Sequence, residues 1–237
     1  MRCDVIPRLR VVHRSASPDM GEVDDHAETQ EDASSEDVDA PIELSRLLEL
    51  ARWLDPQISS DAEHSSRVSR IARDLAEAAG LDGFSVAQAT LAGLLHDIGK
   101  VIVPRSVLLK PSALNTEEFD WIKLHPSASG RLADRANLGT IASTLRHHHE
   151  RWDGSGYPQG LAGEQIPLVA RVISIADAFD AMLADRPYRN SMTIAEAYRE
   201  LQAGAGSQFD PELVGVFLTR DLGHSAYDEI DGVADAA

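Results

Sequence analysis

The stretch that most constrains what this chain can fold into is Leu91-Ala-Gly-Leu-Leu-His-Asp-Ile-Gly-Lys100. Leu91, Leu94, Leu95 and Ile98 recur at three- and four-residue spacing, the stripe of a helix that faces a core. His96 and Asp97 stand inside that apolar run. An ionised carboxylate buried there is costly unless it is paired or bound to a metal. Gly99 suits a left-handed cap that ends the helix, and Lys100 follows where the helix dipole favours a cation. Taken alone, the pair reads as a satisfied His–Asp contact at a helix end. Histidines at other helix ends change that reading.

Helical periodicity begins near Ile42 and stops near Asp55-Pro56. A second helix is expected from Ser60 or Asp61 to Gly80, with Val68, Ile71, Leu75 and Ala79 on one face and His64 in its first turns. The organising helix covers 85–98, and Pro104 and Pro111 bracket the connection that follows. Asn115-Thr-Glu-Glu118 has the form of a helix start, with Asn or Thr as cap and acids in the first turn. That helix is expected to end at His125-Pro126, because the residue before proline is pushed out of the helical region. A helix near 139–149 ends in Arg146-His-His-His-Glu150 and opens into a Gly/Pro-rich loop that continues to about Gln165. A long helix from Pro167 to Ala184 carries Asp177 and Asp180 among apolar residues, and two shorter helices follow around 193–203 and 210–220. No convincing period-2 strand appears. The expectation is an all-α single domain of roughly seven to nine helices over 41–222, with a flexible C-terminal tail at 223–237.

Charge narrows the partners. The formal net charge is −17, which speaks against a nucleic-acid polymer, since phosphate backbones need basic surfaces. A small phosphorylated ligand is compatible with it, because metals can supply the local positive charge. Part of the acidity is local: residues 15–40 carry ten Asp or Glu and no Lys or Arg. Such a segment buries too little apolar area to offset its ordering entropy, so 1–40 is expected to be a disordered acidic tail. Nothing approaches the roughly 18 consecutive apolar residues of a membrane span, so no transmembrane helix is expected, and the arginine-broken N-terminus is not expected to act as a signal peptide. The single cysteine, Cys3, excludes a disulfide framework and suits a reducing cytoplasm.

Five separate helix ends or faces offer metal-competent side chains: His64, His96-Asp97, His125, His148-His149 and Asp177. Together they suggest helices converging on a polar centre, and imidazoles mixed with carboxylates suit Fe, Mn or Zn better than Mg or Ca. Asp97 is suited to bridge two ions, whereas His96 binds one. The chain resembles the HD-GYP family of metal-dependent phosphohydrolases. The resemblance is carried by His64-Ser-Ser-Arg-Val68, Leu95-His-Asp-Ile-Gly-Lys100, Lys123-Leu-His-Pro126, His148-His-Glu-Arg-Trp-Asp-Gly-Ser-Gly-Tyr-Pro158, Ile175-Ala-Asp-Ala-Phe-Asp-Ala181 and Asp185-Arg-Pro-Tyr-Arg189. These motifs occur in the family's order over about 60–220.

The resemblance implies an HD-type helical domain that hydrolyses cyclic di-GMP to linear pGpG with two divalent ions, Fe or Mn before others. It implies His64, His96, Asp97 and Asp177 as ligands of one ion and His125, His148 and His149 as ligands of the other, with Asp97 bridging. It further implies Lys100 against the scissile phosphate and Arg186 and Arg189 on the ligand's phosphates or guanine. Tyr157, with Trp152, either lines the pocket or packs the loop. The GYP loop is also a candidate contact for signalling proteins. His147 projects about 100° round its helix from His148 and is not expected to be a ligand. Asp180 either supports the centre or is a surface charge, and Glu150 and Asp153 are expected to stitch the loop together. Some family members hold a third ion through a glutamate one turn before the first histidine; Ser60 stands there, so two ions are expected. The competing function is a module that keeps the fold and binds a nucleotide or partner without turnover. A hydrolase acting on another nucleotide leaves the GYP loop unexplained.

Overall fold

The computed structural model describes residues 41–58, 63–184 and 191–224. In chain order the helices are α1 (Leu44–Ile58), α2 (His64–Ala78), α3 (Gly83–Leu95), α4 (Arg105–Leu108), α5 (Thr116–Lys123), α6 (His125–Arg135), α7 (Gly139–His147), α8 (Leu168–Leu183), α9 (Ile194–Gly204) and α10 (Pro211–Thr219). Single 3-10 turns cover Ile98–Ile102 and Gly163–Gln165. Among the described residues there is no strand, only an isolated bridge between Ala205 and Phe209. The all-α expectation holds. No described helix is long and apolar enough to cross a membrane.

The middle of the fold is α8. Val172, Ile173, Ile175, Ala176, Phe179 and Met182 are buried on several sides of it, the pattern of a helix enclosed by others rather than laid on a surface. α2 packs on both α3 and α8, and α7 closes against α6, α3 and α8. The α2–α3 crossing depends on Gly93, where a Cβ would lie 2.5 Å from Ser69 Cα. Caps fix where helices start. Asp82 accepts from the Ser85 N–H, Asn115 and Glu118 form the capping box read from sequence, and Thr193 with Glu196 forms another. The described chain remains packed through Gly223, whose N–H donates to the Tyr198 hydroxyl at 2.9 Å.

Three local expectations are corrected. His125-Pro126 ends no helix at its own position: α5 stops at Lys123, and α6 begins at His125 with proline in its first turn. Proline's missing N–H falls among donors that have no intrahelical partner anyway, so it starts a helix as readily as it stops one. With α6 and the four-residue α4, the described residues form ten helices rather than seven to nine. Thirdly, Gly99 is not a left-handed cap. It lies inside the 3-10 turn Ile98–Ile102, and its φ is not among the positive ones. Its reason for being glycine is tertiary: a Cβ there would collide with the His125 carbonyl oxygen and sit 2.5 Å from Ser129 N. The second helix begins at His64; Ser60 and Asp61 lie outside the described residues, as do the tail at 1–40 and residues 225–237.

Candidate metal centre

The five sequence loci meet in one place. His64 is the first residue of α2, His96 and Asp97 follow the last turn of α3, and His125 opens α6. His148 caps α7 with His149 after it, and Asp177 lies within α8. Their ligand atoms form two sets, His64–His96–Asp177 and His125–His148–His149. Within each set the atoms lie no more than 4.8 Å apart. Asp97 stands between them. Its Oδ2 is 3.4 Å from His96 Nε2 and 3.9 Å from His64 Nε2, while its Oδ1 is 3.4 Å from His125 Nε2. Asp177 Oδ1 lies 3.4 Å from His64 Nε2 and 3.8 Å from His96 Nε2.

The imidazoles are aimed from behind. Nδ1–H of His96 donates to Gly93 O at 2.9 Å, that of His125 to Ile122 O at 2.7 Å, and that of His148 to Leu145 O at 2.8 Å. Each bond reaches back three residues and fixes the tautomer, so the Nε2 lone pair faces the centre. Nε2 of His96 is buried without a hydrogen-bond partner. An orphaned buried acceptor among imidazoles and carboxylates is what a divalent transition metal would satisfy, so the residues fit such an ion. His147 donates instead to Ser143 O at 2.8 Å and belongs to neither set.

Around the two sets, Lys100 Nζ lies 2.5 Å from Asp97 Oδ2 and is half-buried. The Tyr157 ring stacks 5.0 Å from His149 with Phe119 6.3 Å behind it, so Tyr157 borders the centre. Burial, then the charges of Asp177 and Asp97, pushes its hydroxyl pKa up and keeps it a donor. Trp152 serves packing: its backbone N–H donates to Gln208 O at 3.2 Å, and the Arg171 guanidinium lies 5.7 Å from its ring. Glu150 accepts from the N–H groups of Gln159 and Leu161, and Asp153 from that of Ser155. Both stitch the loop, as expected. Arg186 and Arg189 lie outside the described residues.

Of the residues that hold these parts in register, sequence reasoning singled out only Asp180 and left its role open. Ser129 is wholly buried on α6; its hydroxyl accepts from Gly99 N–H and donates to His96 O, each at 2.8 Å. Asp55, at the end of α1, accepts from Ser65 N–H at 3.1 Å and Ser65 Oγ–H at 2.6 Å, which caps α2 from another helix and fixes where His64 sits. Asp180 is wholly buried against His64 and Arg67, which settles it as a support of the centre rather than a surface charge. The available signals were spacings: Arg67 three residues after His64, Asp180 three after Asp177, and Ser129 four after His125.

Electrostatics divide the two sets. Burial drives His125 and His149 well below the usual imidazole range and His148 to about 4. His64 moves the other way: burial opposes protonation, but its bond to Asp180 and the charges of Asp177, Asp180 and Asp97 outweigh it. For Asp97, burial favours the neutral acid, yet Lys100 and then His96, His125 and His64 hold it well below the carboxylate range. The three depressed histidines make the metal-free protein acid-sensitive. A group with a lowered folded pKa contributes stability that is present above its unfolded pKa, here about 6.5, and lost as pH falls toward the folded value. His148 alone accounts for about 3 kcal/mol between pH 6.5 and 4; His64 has the opposite sign. The chelator-treated chain is expected to melt at a lower temperature at pH 5 than at pH 7.5. An equal or higher melting temperature at pH 5 would contradict these buried neutral imidazoles.

Comparison with known proteins agrees with this construction. The HD domain family model matches residues 45–213. A cyclic di-GMP phosphodiesterase of Thermotoga maritima is 38% identical over 179 residues, covering 74% of this chain and 49% of that protein. The cyclic di-GMP phosphodiesterase response regulator RpfG of Xanthomonas campestris is 40% identical over 179 residues, covering 74% and 47%. The chain thus spans about half the length of these relatives. A crystal structure of a cyclic GMP-AMP specific phosphodiesterase of V. cholerae, V-cGAP3, superposes with a TM-score of 0.56 at 22% identity, covering 74% of this chain and 48% of that one; it shares the fold. With ten helices among its described residues, its His-Asp pair at the centre and a family match over residues 45–213, the chain belongs to the HD domain family.

Proposed function

We propose that this chain is a phosphodiesterase that hydrolyses cyclic di-GMP to linear pGpG, using two divalent ions, Fe or Mn, held by the two ligand sets with Asp97 shared. One observation carries the reading: Asp97 turns one carboxylate oxygen toward each set, at 3.4 Å from His96 Nε2 on one side and 3.4 Å from His125 Nε2 on the other. When bound, such a pair of ions lowers the pKa of water and neutralises charge developing on phosphoryl oxygens. The chain's own residues do the rest. Lys100 places a cation at the edge of the site, where it contacts the scissile phosphate and supplies a proton to the departing ribose oxygen. The Tyr157 hydroxyl, kept protonated, donates toward the ligand. Arg186 and Arg189 hold the second phosphate or a guanine. Water adds across one P–O3′ bond: the new P–O bond forms, the P–O3′ bond breaks, and O3′ leaves as a hydroxyl. The local cations offset the chain's net charge of −17 at the one place where a dianionic ligand must approach.

The names of the two phosphodiesterase relatives support the substrate, and a cyclic dinucleotide messenger, with one cysteine in the chain, supports a cytoplasmic setting. The outer face of the GYP loop is where a signalling protein would dock. Metal analysis of protein purified without air, coupled to product identification, tests the whole. Two ions per chain and accumulation of pGpG are the expected result, and chelation should stop turnover. Binding of cyclic di-GMP without product by the metal-loaded chain would favour the module that signals without turnover. Preference for a different cyclic dinucleotide would overturn the substrate, and three ions or rapid conversion to GMP would overturn the two-ion centre.

A further inference from the structure

His96, His125 and His148 are aimed by carbonyls of their own neighbourhood, three residues back along the chain. His64 has no such helical turn behind it, because it is the first residue of α2. Its Nδ1–H donates instead to Asp180 Oδ2 at 2.8 Å. Asp180 has no exposed surface and is gripped by Arg67, whose Nε donates to Oδ1 at 2.6 Å and whose Nη2 donates to Oδ2 at 3.0 Å. The arrangement is crossed. α2 provides His64 toward the centre and Arg67 behind it, one turn apart, while α8 provides Asp177 toward the centre and Asp180 behind it. A bidentate guanidinium fixes the plane of the carboxylate, and that plane fixes the imidazole. A carboxylate behind a ligating imidazole also makes it a better donor than a carbonyl does.

We propose that Asp180, held by Arg67, is a positioning residue that sets the metal affinity of the His64–His96–Asp177 set and leaves the His125–His148–His149 set untouched. This rests on the reading that each set holds an ion. The alternative is a plain cross-link between α2 and α8, which would change the melting temperature but neither ion's affinity.

The test is titration of the chelator-stripped full-length chain with Mn2+, followed by calorimetry and by the spin-resonance signal of free Mn2+. His64→Ala and His149→Ala identify which binding event belongs to which set. In Asp180→Asn, the event lost in His64→Ala is expected to weaken about 10- to 100-fold, and the event lost in His149→Ala to stay as in the parent. If the stranded guanidinium prevents folding, the double variant Arg67→Met, Asp180→Asn removes it, retains an acceptor for His64 and is read the same way. Parent-like affinity for both ions, or equal weakening of both, in a folded variant overturns the proposal. If His64→Ala itself leaves both events intact, the metal reading of this set fails and the proposal falls with it. Loss in His64→Ala without change in Asp180→Asn fails the proposal alone.

Discussion

Asp97→Ala is expected to abolish phosphodiesterase turnover and to loosen both ions together. No other described carboxylate presents an oxygen to each ligand set, so a single truncation removes a donor from both. Electrophilic and charge-neutralising assistance from bound ions is worth several kcal/mol in the transition state. Losing about 4 kcal/mol of it corresponds to roughly a thousandfold in rate. Folding should survive. Asp97 lies between α3 and the 3-10 turn, its side chain caps neither, and the substitution removes a charge that is 5% exposed and costly to bury. Lys100 loses its partner but is half-buried, with a long stem that can turn its ammonium to water. Turnover of cyclic di-GMP, Mn2+ stoichiometry and helical circular dichroism separate these effects. A helical Asp97→Ala protein that still turns over at a tenth of the parent rate, or still binds two ions, would remove Asp97 from its bridging place.

The candidate ligands were legible in the sequence because the capacity to bind a metal is written in residue types. Imidazoles and carboxylates inside apolar helical runs are costly unless they are used, and five such loci in one chain point to a common centre. All seven ligand candidates converge in the structure. What aims His64 and holds the two sets in register was not legible, because it depends on contacts between distant segments. Asp180 could be read as support or surface charge, since its spacing from Asp177 says nothing of Arg67, 113 residues earlier on α2. Ser129 offered only its spacing, four residues after His125; a serine within a helix is usually unremarkable. The break at His125-Pro126 was visible, but a rule about the residue before proline reports only that a helix stops. Whether another starts depends on what receives the new helix, and α6 is received by α7 and the 3-10 turn at Ile98–Ile102. Gly99 misled for the same reason: the local rule supplied a left-handed cap, whereas the requirement is for space.

That space underlies the largest stability effect expected here. Gly99→Ala should destabilise the chain by about 3 kcal/mol or more, the upper end for adding a methyl group to a packed site. The reason is what the methyl group would meet. It would collide with the His125 carbonyl oxygen and lie 2.5 Å from Ser129 N and 2.7 Å from Ser129 Oγ. The first two are backbone atoms of the opening turns of α6, so no flexible side chain can swing away. Gly99 N–H also donates to Ser129 Oγ at 2.8 Å, and that hydroxyl holds His96 O; pushing the two segments apart breaks both bonds. For a domain of this size a loss of that order lowers the melting temperature by about 6–12 °C. A second consequence separates this effect from ordinary overpacking. α6 carries His125 and the 3-10 segment follows His96 and Asp97, so the displaced methyl acts as a wedge between the two ligand sets. The ion held by His125, His148 and His149 should therefore weaken in Gly99→Ala more than the ion held by His64, His96 and Asp177, whose elements α2, α3 and α8 are not parted. Thermal melts of the chelated protein and Mn2+ titration of the folded fraction measure the two effects independently. A parent-like melting temperature would mean that α6 yields to the methyl group. A lowered melting temperature with both ions bound as in the parent would mean that Gly99 serves packing alone.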